Sequence, residues 1–392
     1  MSLPISYSIR NVRARLRRTY LTVAVIALAV VASAVFLALI SSLQRTLVST
    51  GSPDNLVVLR KGSDNDGSSM MTLEAYQSIR FLDGIARDGE GQPLVSPEMV
   101  VQPTVRTTQG TRENVLARGV EPMAFAVHDQ VKIVAGRMFR PSSGEVVLGV
   151  GTVGRYVGAR LGGEMPFGRN RWRVVGIMEA AGSSFESEVW VDARELAADA
   201  NRPFPYSGVR LRVAPGADAE ALIRRIEDDP RYALEAKPET QYYADQAKSS
   251  RSLYFLLVVL AVPVGVAAGL GAANTMFAAV QARTVEIGTL RALGFSRATI
   301  LRSFLIESFG VAMVGYVVGA VGTLALAAVI GFVLGGIGFA AQTFTTNVVT
   351  LRVSGGDLAA AFVFAAAIGI IGGLLPAWRA ARLRPVEALR KA

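Results

Sequence analysis

Hydrophobic and polar positions are unevenly distributed along this chain. Four long uncharged runs, Thr19–Gln44, Leu253–Ala282, Ser308–Leu351 and Leu358–Trp378, stand out from a polar background. About 20 apolar residues in a helix cross the hydrocarbon core of a bilayer. The pattern therefore predicts transmembrane helices over residues 19–44, 253–280, 303–339 and 358–376, with the third run also supplying a loop at 340–357. Residues 45–252 read differently, as short Val- and Ile-rich runs bounded by Gly, Pro and Ser. Asn55–Arg60, Val146–Gly149, Arg171–Ile177, Glu188–Val191 and Gly208–Val213 are expected strands. Thr72–Arg80, with a capping Thr and an acidic first turn, and Ala217–Asp228 are expected helices. The fold class that follows is an α-helical membrane protein with four transmembrane helices and a large α+β extracytoplasmic domain, in one lobe or two, inserted between the first and second spans.

The net charge of +10 suits a nucleic-acid binder until its distribution is considered. Residues 1–18 hold five Arg and no acid, the 281–302 loop holds four Arg against Glu286, and the 377–392 tail is also basic. The long 45–252 segment is nearly neutral, with 26 Lys and Arg against 27 Asp and Glu. Basic charge confined to short segments beside apolar runs is the positive-inside pattern, so no nucleic-acid partner is expected. It places both termini and the 281–302 loop in the cytoplasm, and 45–252 and the 340–357 loop outside. Ile5, Ile9, Val12 and Leu16 recur at helical spacing, so residues 1–18 read as an amphipathic helix lying on the inner lipid surface, or as a basic cap on the first span. Ala32-Ser33-Ala34 resembles a signal-peptide cleavage site, but the apolar run continues through Val35–Ile40, which favours a retained span.

No catalytic constellation is present. The 392 residues contain no cysteine, one histidine and no G-x-x-x-x-G-K-[ST], G-x-S-x-G or H-E-x-x-H motif. No catalytic residue, no metal ligand and no directly bound cofactor is expected. Gly149 to Gly154 fits G-x-G-x-x-G on spacing alone and reads as a turn. The acidic segment 62–69 lacks the spacing of a calcium loop and reads as a flexible loop. His128 beside Asp129 reads as a surface or capping residue. Glu307, one turn into the third span near Arg302, is expected to pair with a loop arginine, and Pro263 to kink the second span.

Two features do carry information. Gly265 and Gly269, Gly315 and Gly319, and Gly331 and Gly335 are each four apart, a spacing that lets helices approach closely within one bundle or between subunits. In the 281–302 loop, Val285, Ile287, Leu290 and Leu293 are apolar, the last three at intervals of three along a short helix that Gly294 can end and Ser296 restart. That apolar face is buried either in a groove of a cytosolic partner or flat on lipid.

A resemblance bears on this choice. Asn274-Thr275-Met276, Arg283, Glu286-Ile287-Gly288, Leu290 to Gly294 and Glu307-Ser308, together with Pro376 to Leu383 and Pro385 to Leu389, resemble the permease domain of FtsX/MacB-type ABC transporters. The segments Gly136 to Phe139 and Val174 to Ile177 resemble the MacB-type periplasmic domain. The resemblance implies a permease and mechanotransmission subunit of an exporter in a bacterial inner membrane. Segment 284–297 becomes a coupling helix, with Arg283, Glu286, Ile287, Leu290, Arg291, Leu293 and Gly294 at an ATPase-docking site. It further implies a cytosolic ATPase dimer carrying ATP and Mg on separate chains, a second permease copy or paralogue, a periplasmic adaptor, and stalks at Leu43–Thr50 and Glu239–Ser252. The cargo would be a drug, peptide, lipid or lipoprotein. An FtsX-like regulator of a cell-wall hydrolase is the alternative.

Overall fold

The computed structural model describes residues 16–248, 251–334, 337–340, 346–349 and 351–383. In chain order the elements are α1 (Leu16–Val48), β1 (Asn55–Arg60), α2 (Leu73–Arg80), β2 (Val95–Val101), β3 (Thr104–Arg106), β4 (Arg112–Asn114), β5 (Leu116–Val120), α3 (Ala124–Val127), β6 (Lys132–Gly136), β7 (Glu145–Gly149), β8 (Glu164–Phe167), β9 (Asn170–Glu179), β10 (Glu188–Asp192), α4 (Ala193–Asp199), β11 (Gly208–Arg212), α5 (Ala219–Glu227), β12 (Leu234–Pro238), α6 (Glu239–Lys248), α7 (Arg251–Ala282), α8 (Thr284–Ala292), α9 (Arg297–Leu334), β13 (Ile337–Ala340), β14 (Thr346–Val349) and α10 (Gly355–Ala381). The chain divides into a membrane unit (1–42, 252–334 and 351–392) and an inserted unit (43–251 and 335–350).

The membrane unit contains the four helices long and apolar enough to span, with apolar windows in Tyr20–Thr46, Val258–Ala282, Arg297–Phe332 and Gly355–Ala381. At 38 residues α9 is roughly 57 Å long, almost twice the hydrocarbon thickness, so part of it lies beyond the apolar layer. Ile337–Phe339, which hydropathy assigned to the third span, belong instead to the β13–β14 hairpin; the two Gly that precede them fall outside the described residues. The surface helix expected over 1–18 likewise lies largely outside the described residues, as does the tail from 384. Pro263 sits inside α7 and Pro376 inside α10.

Small side chains hold this bundle together. Its core joins Ile26, Ala29, Val30 and Ala34 of α1 to Ala268 and Ala272 of α7, Ala312 of α9, and Ala361, Ala365 and Ile368 of α10. Lipid offers no hydrophobic drive for helices to associate, so close backbone approach and hydroxyl bonds supply it. A Cβ at Gly315 would stand 2.7 Å from Ile26, and one at Gly319 2.7 Å from Val30. Gly265 faces the Phe364 ring, and Gly269 offers its carbonyl to Gly372, whose Cβ would lie 2.7 Å away. Of the six glycines noted for their spacing, Gly265, Gly315 and Gly319 thus meet a neighbouring helix of the same chain, Gly331 has open space around it, and Gly335 lies outside the described residues. Gly369, Gly372 and Gly373 of α10 are as tightly placed, and Gly369 and Gly373 are also four apart, although they were not among the pairs noted from the sequence. Ser308 Oγ donates to the Gly369 carbonyl at 2.7 Å, and Ser354 and Asp357 form a capping box that opens α10.

The inserted unit is built on one twisted mixed sheet in the order β12-β1-β11-β2-β5-β10-β7-β9-β6, with β8 also on β9. All five expected strands and both expected helices are present, α2 capped by the Thr72 side chain and α5 by Asp218. One apolar core gathers under α2 and α5 around Leu56, Val58, Ile79, Leu211 and Ile226. A second gathers around Trp172, Leu148, Val189 and Leu196, and a third around Phe139, Val147, Phe185 and Trp190. These three cores share a continuous sheet.

Beside their apolar side chains, the central strands carry a buried ionic ladder. Arg118 on β5 donates to Glu188 on β10 and to Glu98 on β2, all at 2.7 Å. Arg210 on β11 makes a bidentate pair with Asp66 and reaches Glu98 at 3.0 Å. His128 lies inside this ladder and contacts Glu98 through Nε2 at 2.7 Å, so it is neither a surface residue nor a partner of Asp129, which pairs with Arg212. Asp66, expected in a flexible loop, is a buried member of the same network. Burial on its own would raise both acids, but Arg210 overrides it and holds the Asp66 carboxyl below its usual range; Arg210, His128 and Arg118 together hold Glu98 far below. Single-residue patterns do not reveal such a ladder, because each charge is tolerable inside only once the others surround it.

Candidate functional site

The segment joining α7 to α9 begins at Arg283 and turns directly into α8. Thr289 bonds back to the Val285 and Glu286 carbonyls within the helix. Its end is a Schellman motif: Phe295 N donates to Leu290 O at 3.1 Å and Gly294 N to Arg291 O at 3.2 Å. Gly294 takes φ of +90°, a left-handed conformation that costs a side-chain-bearing residue about 1–2 kcal/mol. Arg291 Nη1 secures the same turn by donating to Phe295 O at 2.9 Å. Ser296 then caps α9 through Thr299 N at 3.1 Å.

The apolar residues of α8 do not share one face. Ile287 is buried in a cluster with Met276 and Val280 at the end of α7, Ile300 and Phe304 at the start of α9, and Ala377 and Ala380 at the end of α10. Leu290 is half-buried beside it, whereas Val285 and Leu293 point away, Leu293 being 74% exposed. The helix is thus riveted to three span ends by Ile287 and presents Leu293 on the side that remains open. Under α8, Glu286, Ile287 and Leu290 face Ile300, Ser303 and Phe304 across a crevice of about 20 Å³. That volume holds about one water and excludes an organic ligand.

Arg283 locks the arrangement electrostatically, donating to Glu307 at 2.9 Å with both side chains about nine-tenths buried. Glu307 therefore pairs with a loop arginine, but from the start of the loop and not with Arg302. Burial, with the Glu307 charge nearby, pushes the Glu286 carboxyl above its usual range. Ile300, Ser303 and Phe304, which complete the seat of α8, were not evident from the motif; their signal is the i, i+3, i+4 spacing at the start of α9. Among the described residues no group of His, Cys, Asp and Glu is arranged to hold a metal ion.

The family pattern of the MacB-like periplasmic core domain matches residues 19–229, more than half of the chain, and that of the FtsX-like permease C-terminal region matches 256–385. The chain belongs to the FtsX/MacB-type permease family. It is 27% identical to the macrolide export ATP-binding/permease protein MacB of Rhodopseudomonas palustris (strain HaA2), over 83% of this chain and 51% of that protein. With the MacB of Bdellovibrio bacteriovorus it shares 28% identity over 89% of this chain and 55% of the relative. The chain thus spans about half the length of these curated relatives. Among solved structures, the periplasmic region of MacB from Actinobacillus actinomycetemcomitans aligns with a TM-score of 0.38 and 11% identity, over 52% of this chain and 94% of that one. The gap between the two family patterns, 230–255, holds β12, α6 and the start of α7, and a division between the two units falls within it.

Proposed function

We propose that this chain is the permease and mechanotransmission subunit of an ABC exporter. ATP hydrolysis on a separate cytosolic ATPase dimer moves the spans, and through them the inserted domain, to export or extract a substrate. Basic flanks orient the chain with its termini and α8 in the cytoplasm and the inserted domain outside an inner membrane. The observation that carries the reading is the division of labour on α8. Ile287 and the Arg283–Glu307 pair tie the helix to the ends of three spans, while Leu293 and Val285 are left to enter a partner's groove. A helix fixed on one side and apolar on the other passes a push from the partner into the bundle. A flat lipid-bound helix would not need its own rivet. The relatives named as ATP-binding/permease proteins support an ATPase as that partner. A second permease copy or a paralogue would complete the assembly, and Mg-ATP would be held by the ATPase alone.

The test is co-purification in mild detergent with the cognate ATPase. Leu293→Asp should lower recovery of the ATPase by at least about tenfold, the effect of losing roughly 1.4 kcal/mol of docking energy, without altering membrane insertion. Undiminished recovery with Leu293→Asp and Val285→Asp combined would remove the coupling role from α8. Recovery of a cell-wall hydrolase on the inserted domain, with the ATPase still bound, would turn the reading toward a regulator.

A further inference from the structure

The inserted unit is entered through residues 43–54, which follow the first span in the chain, and left through α6, which leads to the second. Each segment has its own anchor in the domain. On the entering side, Thr50 Oγ1 accepts from Ser184 N at 2.9 Å and its carbonyl accepts from Gln130 at 2.8 Å. On the leaving side, Tyr242 of α6 donates to Asp66 at 2.9 Å.

One side chain bonds the two segments to each other. Glu239, the first residue of α6, is fully buried, and its Oε2 accepts from Ser52 N and from Asn55 Nδ2, both at 3.0 Å. The backbones touch at the same place: a Cβ on Gly51 would lie 2.8 Å from the Glu239 carbonyl and from Thr240 Cα. The other oxygen, Oε1, has no hydrogen-bond partner and sits 3.9 Å from His128 Nδ1 and 3.9 Å from Arg210 Nε, two buried atoms that also lack partners. Hydrogen bonds form near 2.9 Å, so a shift of about 1 Å would bring Glu239 onto one of these atoms and off Ser52 and Asn55. The carboxylate therefore has two sets of partners, one made and one within reach.

We infer that Glu239 is a positioning residue, a latch that makes the chain entering and leaving the inserted domain move as one piece, with His128 and Arg210 as the alternative seat when the two segments part. Its value for transmission rests on the exporter reading above; the latch itself does not. The measurement uses the full chain in lipid nanodiscs without ATPase. The sequence has no native cysteine, so spin labels can be placed cleanly on exposed Ser49 and Gln241, with a second pair on exposed Arg60 of β1 and Arg171 of β9 reporting the sheet. Glu239→Ala should broaden the Ser49–Gln241 distance distribution and leave the Arg60–Arg171 distribution sharp. A residue that merely adds stability would lower the unfolding temperature without broadening a folded-state distance. Glu239→Asp retains the charge but draws it back by one C–C bond, about 1.5 Å, and should broaden the same pair less. Glu239→Gln keeps an acceptor for both donors and should match the wild type. Should Glu239→Ala also broaden the sheet pair, through unfolding, Glu239→Asp becomes the deciding variant. An unchanged Ser49–Gln241 distribution in a variant that keeps the sheet sharp would overturn the latch. The outcome does not depend on ATPase recovery, so failure of the latch and failure of the exporter reading are separate results.

Discussion

Gly319 in the membrane unit and Arg210 in the inserted unit are both tightly surrounded, and they show how differently the two regions cohere. Gly319 lets α9 approach α1 until a single added carbon would meet Val30. Arg210 is a long cation wholly removed from water and matched to Asp66 and Glu98. The membrane helices are apolar along most of their length, so composition there distinguishes one face from another poorly and size does the sorting. In the inserted domain apolar burial builds the cores on the sheet, and the ionic ladder links its central strands β11, β2, β5 and β10. Shape specifies one region and charge the other.

Replacing Arg210 by Ala should separate these regimes most clearly. It strands the buried Asp66 carboxylate and takes one of three partners from Glu98, and breaking a buried pair from one side costs about 3–5 kcal/mol. Chemical unfolding followed through Trp172 and Trp190, both in the inserted domain, should show the loss. A change below about 1 kcal/mol would mean the ladder is not what orders the central strands. Gly319→Leu is the matching variant for the bundle, with an overpacking cost of about 1–3 kcal/mol. Gly331→Leu, with open space at its Cβ position, should be nearly silent in the same detergent-stability assay. Equal effects at the two glycines would remove shape as the sorting principle.

Acid should act on the inserted unit in a defined window. Asp66 and Glu98 have folded-state values below their ordinary 3.8 and 4.5, and hydrogen bonds from Arg137 bring Glu145 down to about 2. Depressed carboxyls contribute stability that is complete above the unfolded value and lost as pH falls through the folded one. The unfolding temperature reported by Trp172 and Trp190 should therefore be flat in these groups above pH 4.5 and fall between pH 4.5 and 2. A decline confined to higher pH would assign the titration to other groups.

The 281–302 segment was only partly legible from sequence. Its helix, the Gly294 terminus and the Ser296 restart follow from local rules, because a left-handed residue and a hydroxyl cap act within a few positions. The same rules put Ile287, Leu290 and Leu293 on one face, and there they failed. A helix end packed against three spans can bury a residue from a direction that its own periodicity does not encode. Glu307 was expected to pair with a loop arginine and does so, with Arg283, 24 residues away in sequence, where the end of α7 and the start of α9 share one apolar cluster.

The sequence by itself determined the span count, the class of the inserted domain and five of its strands, and the absence of a catalytic motif. Each depends on composition or on periodicity within one element, and such signals survive without knowledge of neighbours. Tertiary structure alone decided which glycines touch which helices, that His128 and Asp66 lie inside, and that Glu239 ties the two ends of the inserted domain together. These are contacts between residues far apart in the chain. A buried charge or a bare Cα is favourable only when its partner arrives, and nothing local to either residue announces that partner.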